Sequence, residues 1–226
     1  MTKKPHGSRR RPESLSRERI IEASIELLDA SGEAGLTFQA LSRRLATGPG
    51  AIYWHIASKS DLLTAACDAI VARTMDAASA GGPPQATLRA VALGLFDMID
   101  AHPWVGAALG RGAVQMPMLR IIEPVGRQLR ALGVAEDAAW TTVSALLHYI
   151  LGVAGQNAAN ARFAQAHALD RSDFLEGMAG AWSELDPASY PFVRSIVGQF
   201  RDHDDRADFL AGIDLILAGI GASRLR

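Results

Sequence analysis

Between residues 36 and 63 the chain reads LTFQALSRRLATGPGAIYWHIASKSDLL, two short helix patterns, a tight turn and the capped start of a third helix. Few folds tolerate so much helix punctuation in so short a span. Thr37 is a good N-cap for a helix from residue 38 to about 45, with Leu41 and Leu45 inward and Arg43 and Arg44 outward. Residues 46–48 are the turn. Pro49 opens the next helix at the position where a missing amide costs no hydrogen bond, and Gly50 and Ala51 leave that helix start open to close approach. Ile52 and Ile56, at i and i+4, are the buried pair, which leaves Tyr53, Trp54 and His55 to divide between core and surface. Ser58, with Asp61 three residues on, is a capping-box-like start to a helix through about residue 78. Lys59 falls in that helix's exposed first turn, against the helix dipole, which makes sense if it meets an anion. The pattern predicts a helix-turn-helix, which presents a short helix to the major groove of DNA.

Upstream, residues 1–13 hold five basic residues with Pro5, Gly7 and Pro12 and no apolar period. They read as a disordered basic arm, either lying along phosphates or serving as a solubilising tail. A helix is expected from Ser16, with Leu15 and Ile20 as a hydrophobic staple and Gly32 as a left-handed terminator. Residues 1–60 carry ten Lys/Arg against six acids, and the remainder thirteen against eighteen, the split expected when one region meets phosphate and the other does not.

Beyond residue 78 a Gly/Pro connection, SAGGPPQ at 79–85, suggests a domain boundary near residue 80. Helical patterns resume at 87–101, 104–109 and 118–132, the last ended by Gly133. The helix from Glu136 to about residue 161 has no Asp, Glu, Lys or Arg between Ala138 and Ala161. Its length is compatible with a membrane span, but the polar residues scattered through it (Thr141, Thr142, His148, Gln156, Asn157) favour a helix buried on nearly all sides, with a second subunit covering part of it. A charged loop and moderate helix occupy 162–186, a short helix 192–200, and a final helix 209–221 carries Phe209, Ile213, Ile216 and Ile220 along one stripe. Gly212 and Gly219 lie seven apart on it, where another helix can approach closely. The single cysteine, Cys67, excludes an internal disulfide framework and reads as a small apolar residue of a reduced protein. No apolar run follows the N-terminal basic residues, so no signal peptide is expected.

Thr37, Ala40-Leu41, the run Ala51-Ile52-Tyr53-Trp54-His55-Ile56 and Ser58-Lys59 with Leu62-Leu63 together resemble the tetracycline-repressor (TetR) family of bacterial transcription regulators. The segments 144–152 and 209–216 are similar in character to that family's C-terminal domain, though more loosely. The resemblance implies DNA contact by Thr37, Gln39, Pro49, Gly50, Ala51, Tyr53, Trp54, His55 and Lys59, with Tyr53, His55 and Lys59 on phosphates. Pro49, Gly50 and Ala51 offer no side-chain hydrogen bond, so readout would rest on Gln39, thymine methyls and DNA shape. Trp54 packs either at the groove edge or against the bundle. The resemblance also implies a dimer interface through Leu147, Leu151, Gly212, Ile213, Ile216, Gly219 and Ile220. An effector pocket is expected from His102, Trp104, Met116, Met118, Trp140, His148 and Trp182, each of which has core packing as its alternative. The family's metal-ligating histidine corresponds to Ala108 and its acidic position on the long helix to Gln156, which argues for a largely apolar effector bound without metal.

The six histidines are widely separated, with no HExxH pair, nucleophile elbow or phosphate-binding glycine loop, so an enzyme is not expected. The expectation is an all-α, cytoplasmic homodimer with no cofactor and no membrane partner. Its parts are a basic arm (1–13), a helix-turn-helix DNA-binding domain (14–80) and an effector-binding and dimerisation domain (81–226). Its partners are double-stranded operator DNA and a small-molecule effector that releases it. The alternative is a helical ligand-binding or protein-interaction module without operator binding.

Overall fold

The computed structural model describes residues 15–78, 81–111, 116–168, 170–201 and 203–223, so the basic arm expected at residues 1–13 lies outside them. The chain divides into two compact units, Met1–Ala66 and Cys67–Arg226, and the division falls within a continuous helix. Among the described residues every regular element is helical.

The N-terminal unit is built from α1 (Arg17–Gly35), α2 (Phe38–Arg44), α3 (Pro49–Tyr53) and the first turns of α4 (Lys59–Ala78). Capping explains where each begins. The Ser16, Thr37 and Ser58 hydroxyls accept from the amides of Arg19, Ala40 and Asp61 at 3.3, 3.0 and 3.1 Å, and Pro49 is the first residue of α3. Gly32 interrupts α1 at φ 61 and ψ −168, a region open in practice only to glycine, and a last turn follows it. Ile20, Leu28, Leu36, Leu41, Ile52 and Leu62 are all fully buried or nearly so, one or two from each element. Burying each is worth roughly 1.5–3 kcal/mol, which is how helices of five and seven residues persist without stability of their own.

The turn between α2 and α3 is a Schellman closure. Thr47 N–H donates to the Ser42 carbonyl at 3.0 Å and Ala46 N–H to Arg43 at 3.3 Å. Ala46 holds the left-handed position at φ 49. The same closure ends α7 (Met116–Ala131), where the left-handed residue is Gly133 at φ 78, as its sequence position predicted.

The second unit adds α5 (Pro84–Ala101), α6 (Pro103–Gly110), α7, α8 (Glu136–Ala166), α9 (Arg171–Ser183), α10 (Pro191–Ser195), α11 (Val197–Arg201) and α12 (Asp205–Ser223). α8 is its spine, packing on α5, α6, α7 and α12. Phe96, Phe209 and Tyr149 stack in sequence across α5, α12 and α8, with centroid separations of 4.7 and 5.7 Å. The Tyr149 hydroxyl donates to the Phe209 carbonyl at 3.1 Å, and burial, then the Asp208 charge, pushes this phenol's pKa up. Arg89–Asp214 and Arg206–Asp97 tie α12 to α5.

Two elements depart from the sequence reading. α8 continues past Arg162 to Ala166, because its last turns contain no glycine or proline and end only where Ala168 turns left-handed at φ 50. The short helix expected at 192–200 is two, α10 and α11, separated at Ile196, with the Arg194 guanidinium held by the carbonyls of Ser183 and, at 2.8 Å, Leu185. Within the chain α8 is covered on one side only: Val143, Leu146, Leu147, Ile150 and Ala154 face the core, while Thr141, Ala145, His148, Gly152, Gln156 and Ala159 form an exposed row along the opposite face. Its freedom from charge therefore reflects two different faces, one packed internally and one left uncovered. α8 is long and apolar enough to cross a membrane by length and composition alone, and 28% of that stretch is buried inside the protein.

Candidate nucleic-acid interface

On the N-terminal unit the residues expected to touch DNA are exposed beside a closed apolar core. Thr37, Gln39, Pro49, Gly50, Tyr53, Trp54, His55 and Lys59 are all exposed and Ala51 is half-buried. Thr37 uses an oxygen lone pair to cap α2, which leaves its hydroxyl proton to donate outward. Nothing lies within 4 Å of where a side chain at Gly50 would begin, so the start of α3 stays open to backbone approach.

Trp54 resolves in favour of the surface, with 90% of its area exposed. Tyr53 is 53% exposed, but its ring is not free: it stacks on Phe38 with centroids 4.2 Å apart and planes 15° from parallel. Lys59 also has an internal role. Its ammonium donates to the Glu33 carbonyl at 2.6 Å, capping the C-terminal end of α1. A cation that opposes the dipole of its own helix is thereby placed at the favourable end of another. Arg44 of α2 pairs with Glu26 of α1, its Nε donating at 2.5 Å. Both partners are about half exposed, so this pair fixes orientation more than it adds stability. At the start of α1 the Glu18 carboxyl is held below its ordinary pKa by its own backbone amide and then by Ser16, with smaller help from Arg17 and His55.

Neither the Phe38 stack nor the Lys59 cap is part of the sequence reading. One signal for Phe38 is present: an aromatic residue at the first position of α2, away from the inward pair Leu41 and Leu45, needs some other surface to cover it.

In the second unit the seven expected pocket residues do not line one cavity. His102 lines an open groove of about 620 Å³ between α4 and α5, with Ile70, Thr74, Leu93 and Met98. Trp104 is buried, its ring edge-on to His102 at 6.4 Å. Met118 is buried, Met116 and Trp140 are largely exposed, and His148 lies on the exposed row of α8. Trp182 packs on Phe200 at 4.5 Å. A second groove, about 540 Å³ between α7 and α8, is lined by none of the seven. Among the described residues no group of three His, Cys, Asp or Glu side chains is arranged to hold a metal.

The expected interface residues also separate. Leu147 and Ile213 are consumed by the subunit's own core, Leu151, Gly212, Ile216 and Ile220 are half-buried, and Gly219 is exposed. Gly212 has a specific internal reason to be glycine: a Cβ there would sit 1.9 Å from the Tyr149 hydroxyl. The close approach it permits is between α12 and Tyr149 of the same chain. On α12 the outward residues are Ala211, Asp214, Leu215, Ala218 and Gly219, with Leu215 75% exposed.

A three-helix head with an exposed recognition helix, joined to an all-helical body, defines a helix-turn-helix transcription regulator. Residues 20–66 match the family model described as bacterial regulatory proteins of the tetR family, and residues 81–224 match the tetracycline repressor-like C-terminal domain, so this chain belongs to the TetR family of transcriptional regulators. A solved TetR-type transcriptional regulator from Streptomyces coelicolor is 54% identical, covering 92% of this chain and 99% of that one with a TM-score of 0.85. A helix-turn-helix transcriptional regulator from Saccharopolyspora erythraea is 26% identical over 97% of this chain and 90% of its own length. The class D tetracycline repressor from Escherichia coli is 27% identical over 91% of this chain and 88% of its own.

Proposed function

We propose that this protein is a cytoplasmic, homodimeric repressor. It binds a two-fold operator through paired heads (residues 14–80, with the 1–13 arm along the phosphates). A small, largely apolar effector bound by the C-terminal domain (residues 81–226) releases it. The observation that carries the reading is the head itself: Thr37, Gln39, Tyr53, Trp54 and His55 stand exposed around the short helix α3 while Leu41, Ile52 and Ile56 are buried. Dimerisation is supported by the uncharged row that α8 leaves exposed and by Leu215, 75% exposed on α12, a helix that packs on α8. In a dimer each head reads one half-site, and the spacing between heads decides affinity. An effector that prefers a different spacing weakens operator binding by its differential affinity for the two geometries.

Ala108 and Gln156 stand where the resemblance places the histidine and acid of the metal–drug site, which supports an effector held by apolar contact without metal. Readout at Pro49-Gly50-Ala51 rests on backbone approach, thymine methyls and groove shape. An electrophoretic shift with the DNA upstream of the chain's own coding sequence tests the proposal. Retardation at low salt, relieved by high salt and reduced by Tyr53→Phe, is expected. No retarded species at low salt would sink it and leave a ligand-binding or protein-interaction module.

A further inference from the structure

We infer that Phe38 is a positioning residue for DNA binding: its ring holds the Tyr53 phenol against the first turn of α2, so that Thr37 and Tyr53 present their hydroxyls as one rigid pair. The inference rests on the DNA-binding reading of this face and names how its geometry is set.

Tyr53 is the last residue of a helix only five residues long, and more than half of its area is exposed. A tyrosine so placed would ordinarily move among rotamers, and ordering it on a phosphate would cost entropy at the moment of binding. Here one face of the ring is covered by Phe38 at 4.2 Å and 15°, a stacked arrangement that is favourable beyond area burial. Phe38 itself cannot move far. It follows the cap residue Thr37, whose hydroxyl is bonded to Ala40 N–H at 3.0 Å, and α2 is anchored by the fully buried Leu41. The stack therefore spans the turn and couples the start of α2 to the end of α3. The reason for an aromatic residue at an otherwise outward position of α2 lies in α3.

A neutral hydroxyl on a phosphate carries no sequence information and releases no counterion. Losing the orientation of Tyr53 should therefore weaken binding to all duplexes alike and leave the salt dependence unchanged.

The test uses the full-length chain and fluorescence anisotropy on two labelled duplexes, one carrying the upstream region and one of random sequence. Phe38→Leu and Tyr53→Phe should each weaken both duplexes by about three- to ten-fold, the range of one neutral hydrogen bond. The double variant should be no weaker than either single one, and Phe38→Tyr should bind like the wild type. Phe38→Leu binding like the wild type, or losses that multiply in the double variant, would overturn the role of Phe38 while leaving the DNA-binding reading intact. Wild-type protein that binds neither duplex at low salt would overturn that reading, and this inference with it. A measurement independent of any variant is the Tyr53 side-chain scalar couplings in the free protein. One χ1 rotamer is expected, and averaging over several would refute the proposal.

Discussion

Replacing Gly212 with alanine should destabilise the second unit, although alanine is the better helix former. In mid-helix the exchange favours alanine by about 1 kcal/mol. Against that stands geometry: the new methyl would lie 1.9 Å from the Tyr149 hydroxyl, 2.4 Å from Cζ and 3.0 Å from Cε2, so the phenol must leave. Its departure removes the hydrogen bond to the Phe209 carbonyl, worth about 1 kcal/mol. It also removes the stack on Phe209, worth about 0.5–1.5 kcal/mol, and adds overpacking strain of roughly 1–3 kcal/mol where the ring cannot clear fully. The balance is a loss of about 3 kcal/mol, or ~6–12 °C in Tm for a chain of this size. Thermal and urea unfolding should be compared at one protein concentration, because association raises apparent stability. Gly177→Ala is the control, since a Cβ there meets nothing within 4 Å and the change should stabilise. Tyr149→Leu in the Gly212→Ala background should recover part of the loss through non-additivity. A Gly212→Ala protein as stable as the wild type would refute the claim that this glycine exists for Tyr149.

Further outcomes follow from the backbone and from burial. Ala46→Gly should stabilise the head by up to about 1 kcal/mol, because Ala46 holds a left-handed conformation at φ 49 that costs a β-carbon but not a glycine; Gly133→Ala, at φ 78, should lose a similar amount, and denaturant melts would show both signs. Burial first, and then Asp68, pushes the Cys67 thiol up to about 12, so the native protein at pH 8 should resist a disulfide exchange reagent that labels the unfolded chain at once. The same shift fixes a sign in the alkaline range. The folded state holds this proton more tightly than the unfolded one, so the contribution is complete below pH 9 and is lost as pH rises from 9 towards 12, and a Cys67→Ala variant should show a shallower alkaline loss of stability.

What could be read from the chain alone were the features set by neighbours in sequence. Caps at Ser16, Thr37 and Ser58, the proline at the start of α3 and the glycine that closes α7 are local chemistry and stand in the structure as the sequence predicts; of the inward residues Leu41, Ile52, Phe209 and Ile213 are buried, whereas Leu45, Ile216 and Ile220 are half-buried. The helix-turn-helix was legible for the same reason, because its two short helices are defined by punctuation rather than by length. Periodicity also picked out Ile52 and Ile56 as the buried pair, while leaving Tyr53, Trp54 and His55 to be divided between core and surface.

Where two segments meet was decided only by the tertiary structure. Nothing local connects Phe38 with Tyr53, Lys59 with the carbonyl of Glu33, or Gly212 with Tyr149, 63 positions earlier in the chain. In each case a residue that periodicity assigns to an outward or partner-facing role has an internal neighbour brought in by packing. The long helix α8 shows the limit most plainly. Its lack of charge says that water is a poor environment for it, but only the fold reveals which side of it the chain covers and which side it leaves exposed. Local sequence encodes the cost of exposure, whereas the assignment of covering surfaces is a property of the packed whole.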